Sequence, residues 1–345
     1  MEELARQKSS DSCPKPSGRF AHATPIGTKI VSLLVGGILV ASAPAATEGR
    51  LPGATVFKAC AAAGPYWPTM TLALDRASAW VACKQQARVI RINTKTHRVN
   101  GRIRLGAPVI AVASGYGSIW AVDTQSTLYR IKPSTARVTK RIRLGAIAPY
   151  NVWAGGGSIW VADDQGAEVI RVSVAGRILK RIRVGDGPAD MAFSETTAWV
   201  INHRDRSLNR IDLVTNAVSE VATVPGDAPE RMVLLDGTLW ITGRGTDLVE
   251  VDPQSWKVKA TIEIGAGGID VVEAAGALWV PVRSAAVDVT GLPTMEVLRR
   301  VVASTRHVST AATANGRVDV HGLQAQAGFV WIADNRSGLV YRLPT

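Results

Sequence analysis

The stretch Gly157-Ser158-Ile159-Trp160-Val161-Ala162-Asp163 returns all along the chain as a small residue, an apolar one, a Trp and then further apolar residues. Its copies centre on Trp80, Trp120, Trp160, Trp199, Trp240, Trp279 and Trp331. Successive spacings are 40, 40, 39, 41, 39 and 52 residues. A period near forty with one aromatic per unit is the mark of stacked repeats such as propeller blades.

Working outward from Trp160, the unit from Pro149 to Gly185 is predicted to hold four strands. They are Val152 to Ala154, Ile159 to Ala162, Val169 to Val172 and Leu179 to Val184, separated by Gly155-Gly156-Gly157, Asp163-Asp164-Gln165-Gly166 and Ala175-Gly176. Connections this short leave no room for a crossover helix, so the strands form an antiparallel up-and-down sheet. One such sheet cannot bury both faces, and radial stacking does it for all. The fold expected is all-β, a seven-bladed β-propeller of four-stranded antiparallel blades.

The chain ends explain closure. The last unit has an inner strand near Val320 to Ala325, a Trp strand at Val330 to Ala333 and a third strand at Leu339 to Leu343, and then reaches Thr345 without a fourth. Ala54 to Cys60, just before the first inner strand at Thr69 to Leu74, is predicted to complete that blade and lock the ring, leaving no sheet open. The long interval between Trp279 and Trp331 places an extra loop at Ser284 to Thr294, before a third strand at Glu296 to Val301. A long Gly- and Pro-bearing loop in a strict repeat is a candidate for function.

Residues 1–45 stand outside the repeat as a leader, and residues 46–345 form the propeller domain. Arg19 and Lys29 precede an apolar run from Ile30 to Ala41, followed by Ser42-Ala43-Pro44-Ala45-Ala46, which is the layout of a signal peptide. That run is shorter than the roughly 20 residues a stable membrane span needs. Export is therefore expected, to a periplasmic, extracellular or cell-surface location. Two cysteines remain after the leader, Cys60 and Cys83. In an exported chain they read either as a disulfide or as two separate buried thiols, and not as a zinc site, which two thiols without nearby His cannot complete.

The formal net charge is +12, and removal of residues 1–45 takes away five basic and three acidic residues, leaving about +10. Such a balance favours acidic surfaces and polyanions. The predicted outer strands of the early blades are strongly basic: Arg102 and Arg104, then Lys140, Arg141 and Arg143, then Lys180, Arg181 and Arg183. Positive side chains on an exposed edge block edge-to-edge pairing, and this reading is preferred to a wall that binds an anionic envelope polymer. Nucleic acid is not expected as a partner, because no aromatic residues interleave with the basic ones in a groove. The third strands end with Arg91, Arg130, Arg171, Arg210 and Arg342, and so regular a recurrence points to a structural role in each blade.

No Gly-x-Ser-x-Gly elbow, phosphate loop, His-Glu-x-x-His or Cys-x-x-Cys occurs. What remains is positional. In an up-and-down blade the loop leading into the inner strand and the loop after the Trp strand share one face of the disc, so variable residues converge on the channel mouth there. The candidate ligand-binding residues are Tyr150, Asp190, His203, Arg231, Asp270 and His321, and the ligand expected is a small molecule or a protein segment. No cofactor is required by this reading.

The Gly-Ser-Ile-Trp-Val-Ala-Asp, Val-Ile-Arg-Val and Arg-Ile-Arg-Val-Gly segments resemble the repeats of bacterial seven-bladed propellers of the YVTN/YncE-like group, relatives of the streptogramin (virginiamycin B) lyase. The resemblance covers about residues 54 to 345. It implies, as an alternative to a non-enzymatic binding or interaction module at the cell envelope, a magnesium-assisted elimination that opens a cyclic depsipeptide, with His and Glu at the mouth. His321 is the residue that matches such a position. The lyase repeats usually read Trp-Phe-Thr-Glu where this chain has Trp-Val-Ala-Asp.

Overall fold

The computed structural model describes residues 49–61, 71–226, 228–244, 246–284 and 294–345. The leader and most of the loop 284–294 lie outside the described residues. Apart from a short 3-10 turn at Lys84–Gln86, the elements are strands. They form seven four-stranded sheets, each a meander of consecutive antiparallel strands except the last. The molecule is a seven-bladed β-propeller.

Blade 3 shows how the repeat folds. Its strands are Pro149–Gly155, Ser158–Asp163, Glu168–Ser173 and Ile178–Arg183, called here inner, Trp, third and outer. The inner and Trp strands join through Gly156 and Gly157, both at positive φ. Two positive φ values in succession make the hairpin turn whose twist matches that of the strands. The same pair recurs as Tyr116-Gly117, Asp236-Gly237, Ala275-Gly276 and Ala327-Gly328. Blades 1, 2, 4, 5 and 6 occupy 72–104, 109–143, 188–223, 229–262 and 272–318.

The Trp strands are buried along their whole length, save for the partly buried first residues Thr197 and Phe329 in blades 4 and 7, because each sheet is covered on both faces. Each blade Trp packs into the following blade. Trp160 meets Met191, Ala198 and Val200 of blade 4, Trp240 meets Leu278 and Val280 of blade 6, and Trp331 of blade 7 meets Leu72 and Val81 of blade 1. The core is thus a closed chain of seven interblade clusters. The third-strand arginines lie opposite these tryptophans in register, and Arg91, Arg130 and Arg171 stack on Trp80, Trp120 and Trp160 at 5.4, 5.7 and 5.1 Å. Their Nε atoms donate to Ser78, Ser118 and Ser158 at the start of the Trp strand. These contacts hold the blade together, as the recurrence implied.

Blade 7 consists of Val320–Gln326, Phe329–Asp334, Leu339–Pro344 and, as its outer strand, Thr55–Lys58 from the other end of the chain. The closing strand pairs Thr55 with Arg342 and Lys58 with Leu339. It continues into a turn where the N–H groups of Ala59 and Cys60 both donate to the Gly338 carbonyl. Gly338 has φ +70°, and a Cβ there would lie 2.4 Å from the Cys60 carbonyl oxygen, so the close approach requires glycine. Cys60 and Cys83 form a disulfide, with Cα atoms 5.7 Å apart. The bridge ties the closing strand of blade 7 to the end of the Trp strand of blade 1.

The first inner strand is described as Leu72–Leu74, three residues shorter than the predicted segment, whose residues 69 and 70 fall outside the described ones. In blade 6 the Trp strand ends at Arg283 and the third strand starts at Met295, which places the extra loop where the spacing put it. The outer strand of this blade, His307–Val318, is also long, and only Asp319 separates it from blade 7. No helix among the described residues is long and apolar enough to cross a membrane.

Candidate functional site

Seven inner strands surround the axis, and each lends residues to one central cavity of about 350 Å³. Counted back nine residues from each blade Trp, the channel-side position holds in turn Thr71, Ala111, Asn151, Asp190, Arg231, Asp270 and Gly322. Blades 4, 5 and 6 therefore present an acid, a base and an acid side by side on the channel wall.

Asp190 is buried. One carboxylate oxygen accepts the indole N–H of Trp153 at 2.8 Å and the N–H of Met191 at 2.9 Å, and the other accepts the N–H of Met232 at 2.8 Å. The last bond crosses to blade 5. Thr71 does the same in blade 1, where its hydroxyl accepts the N–H of Val112 in blade 2 at 3.0 Å. In blades 1 and 4 the position is thus a structural clasp between neighbouring inner strands, and at Asp190 the clasp is a titratable carboxyl group. Asp270 accepts the N–H of Val271 at 2.8 Å and a backbone bond from Leu323 of blade 7. Its carboxylate lies 3.8 Å from Nε of Arg231.

Burial dominates the electrostatics here. It pushes the Asp270 pKa up to about 7, with Arg231 opposing the rise and the charge of Asp190 adding to it. Burial likewise raises Asp190, against the pull of Arg231 and the three N–H donors. Arg231 loses solvation too, but Tyr150, Asp270, Asp190 and Glu230 more than offset that loss and hold its guanidinium charged. Around neutral pH Asp270 gains or loses its proton, and the charge of the trio changes by one.

A second group of charges borders the first. Glu230 is buried and binds Arg244 at 2.6 Å and Arg283 at 3.1 Å. Burial alone would raise its pKa, yet Arg231, Arg283 and Arg244 bring it below the ordinary carboxylate value. Arg283 is the last described residue but one before the undescribed part of the loop 284–294. Arg244 is two-thirds exposed and reaches solvent.

Of the six candidates, Asp190, Arg231 and Asp270 line the cavity together. Tyr150 interacts electrostatically with Arg231, and its ring lies 6.0 Å from that of His203. His203 itself stands further out, 3.3 Å from Asp164, which Arg204 links in turn to Asp186. His321 lies on the inner strand of blade 7 beside Gly322, Leu323 and Gln324, which line the cavity. Its side chain falls outside the described residues. Sequence reasoning overlooked Trp153, which donates to Asp190 from the neighbouring blade. A signal was present: seven residues before each blade Trp stand Ala73, Ala113, Trp153, Ala192, Val233, Val272 and Gln324, so blade 3 alone puts an aromatic there.

The fit of a magnesium ion can be judged from these donors. Among the described residues no three of His, Cys, Asp and Glu stand together as metal ligands, and Asp190 and Asp270 commit oxygens to N–H groups and Arg231. The described part of the mouth does not fit a divalent cation.

No protein-family model matches the chain, and no curated protein sequence matches it. Solved structures do. Virginiamycin B lyase from Staphylococcus aureus superposes with a TM-score of 0.69 at 17% identity, over 86% of this chain and 100% of the lyase. A streptogramin B lyase structure gives 0.68 at 15%, over 86% and 98%. A catalytically inactive His-to-Ala variant of the Staphylococcus aureus lyase with quinupristin gives 0.68 at 17%, over 86% and 100%. At this identity the likeness is one of fold: this chain shares the seven-bladed propeller architecture of the streptogramin B lyases.

Proposed function

We propose that this protein is an exported propeller of the YVTN/YncE-like kind that binds a small polar molecule or a protein segment at the channel mouth, without a cofactor. The observation that carries the reading is Arg231 set between Asp190 and Asp270 on the wall of a cavity of about 350 Å³. That volume lies in the range of small-ligand sites, in which a few convergent polar groups fix orientation. A guanidinium between two carboxylates offers donors and acceptors together, which suits a ligand carrying a carbonyl and an N–H, such as an amide or a short peptide.

Native mass spectrometry on protein purified from its own envelope tests this. A co-purifying species should disappear in Arg231→Met and Asp270→Asn, each checked for folding, and persist in Arg102→Gln on the outer edge of blade 1. Loss in Arg102→Gln with retention in both mouth variants would move the site away from the channel.

The shared architecture with the streptogramin B lyases supports a second reading, a lyase-type elimination at the same mouth with His321 as a catalytic group, although the magnesium that the lyase resemblance implies finds no ligand set among the described residues. Incubation with quinupristin and Mg²⁺ decides between the two. Ring opening that His321→Ala abolishes would establish the lyase; intact quinupristin after prolonged incubation would leave the binding module.

A further inference from the structure

The outer edge of the ring is not the same all the way round. Register fixes equivalent positions on the outer strand of every blade. Opposite the third-strand residue that faces the Trp stand Gly101, Lys140 and Lys180 in blades 1 to 3, then Glu220, Ala260, Ser309 and Thr55 in blades 4 to 7. At the next position stand Arg102, Arg141 and Arg181, then Val221, Thr261, Thr310 and Val56. Towards the channel-mouth face come Arg104, Arg143 and Arg183, against Thr223 in blade 4 and Lys58 in blade 7.

Protection of sheet edges does not account for this distribution. All seven outer strands present an edge to solvent, so a defence against edge pairing has the same work to do in every blade. Here nine of the twelve Lys and Arg residues on the outer strands lie on three consecutive blades, the other three being Lys58, Lys259 and Arg317. Some of them also have structural duties: Arg181 binds Glu168 at 2.9 Å and the carbonyls of Leu144 and Gly145, and Lys140 reaches the Ala175 carbonyl. Arg102, Arg104, Arg143 and Lys180 have no polar partner among the described residues.

We infer that the outer wall of blades 1 to 3 is a binding surface for a flexible phosphate-bearing polymer that is not a nucleic acid. Shape selects a polymer over a membrane. Seven blades in a ring turn by about 51° from one to the next, so a flat bilayer resting on blade 2 leaves the edges of blades 1 and 3 tilted away, whereas a flexible chain follows the curve. Chemistry selects against single-stranded nucleic acid, which is held by stacking of bases on aromatic side chains. Tyr129, the aromatic residue beneath Arg141, is buried and unavailable to a base.

The test titrates the full-length protein with medium-chain inorganic polyphosphate, beside phosphatidylglycerol vesicles and single-stranded oligothymidylate. The triple variant Arg104→Gln, Arg143→Gln, Lys180→Gln removes three partnerless cations from the wall. The control Arg76→Gln, Arg206→Gln, Lys257→Gln removes the same charge from exposed positions off the outer strands. We expect polyphosphate to bind the parent, the wall variant to lose about tenfold or more in affinity with a shallower salt dependence, and the control to stay within about twofold. Equal losses in wall and control variants would show a response to net charge and overturn the site. Tighter binding of the vesicles or of oligothymidylate than of polyphosphate would overturn the choice of partner.

Discussion

Blades 2 and 3 and blades 5 and 6 share a fold but use the end of the Trp strand in opposite ways. In blade 3, Asp163 accepts the N–H groups of Ile147 and Ala148 in the connection that enters its inner strand and of Gly166 in the turn after its Trp strand. Asp123 serves Gln125, Thr127 and the Tyr129 hydroxyl in blade 2. In blades 5 and 6 the same position holds Gly243 and Val282, and the next residue of blade 6, Arg283, reaches back across the blade boundary to Glu230. Opposite the blade Trp, blade 5 has Glu250 in place of an arginine, bound by Arg306 of blade 6 at 2.8 Å. The regular blades spend their carboxylates on local turns. The irregular ones spend charge on their neighbours and on the channel, so the candidate site sits where the repeat gives way.

The largest effect should come from the boundary that joins the two chain ends. Deleting residues 54–60 removes the outer strand of blade 7 together with the Cys60–Cys83 bridge, and the third strand is left with an unpaired edge. Loss of cooperative melting or aggregation is expected in thermal denaturation. Cys60→Ser alone should cost about 2–4 kcal/mol, the usual worth of such a bridge. If the truncated chain melts like the parent, closure does not depend on this strand.

The contrast between the two halves can be put to a direct test. Arg231→Met leaves Asp190 and Asp270 without their cation, and breaking a buried pair costs about 3–5 kcal/mol. The loss should be largest at pH 8 and shrink toward pH 5, where Asp270 takes up a proton and no longer needs a partner. Asp163→Ala strands three N–H groups in a regular blade and should cost about 2–3 kcal/mol. Chemical denaturation at the two pH values measures both, and equal pH dependence in the two variants would erase the distinction drawn here.

Asp270→Asn isolates the titration itself. The folded pKa of Asp270, about 7, lies above its unfolded value, so its stabilising effect is full below the unfolded pKa and is lost as pH rises through 7. In the parent this group makes stability fall between about pH 4 and 7 by a few kcal/mol. The asparagine variant should flatten that part of the curve, and an unchanged slope would mean that Asp270 ionises freely. The smallest effect is expected at Arg244. Its side chain is two-thirds exposed, and Arg244→Ala should cost less than about 1 kcal/mol of stability because water screens the pair with Glu230. A greater loss would extend the buried network out to the rim.

The sequence by itself determined the number of blades through the spacing of the tryptophans, the meander within each through the short turns, the location of the long loop through the one long interval, and the partner that completes the last sheet through the strand the last unit lacks. Those features depend on period and alternation: a strand buried on both faces needs an unbroken apolar run, and a two-residue turn at positive φ needs Gly, wherever in the chain they occur. The sequence also pointed to Asp190, Arg231 and Asp270 as departures from the repeat. Tertiary structure alone decided that the oxygens of Asp190 are claimed by Trp153 and Met232, that Asp270 meets Arg231, and that Glu230 draws in Arg283 from the next blade. Each of these contacts joins residues 37 to 53 positions apart, and its strength depends on burial and on the distance between side chains of different blades. A local pattern carries no record of those two quantities; they arise only when the ring closes.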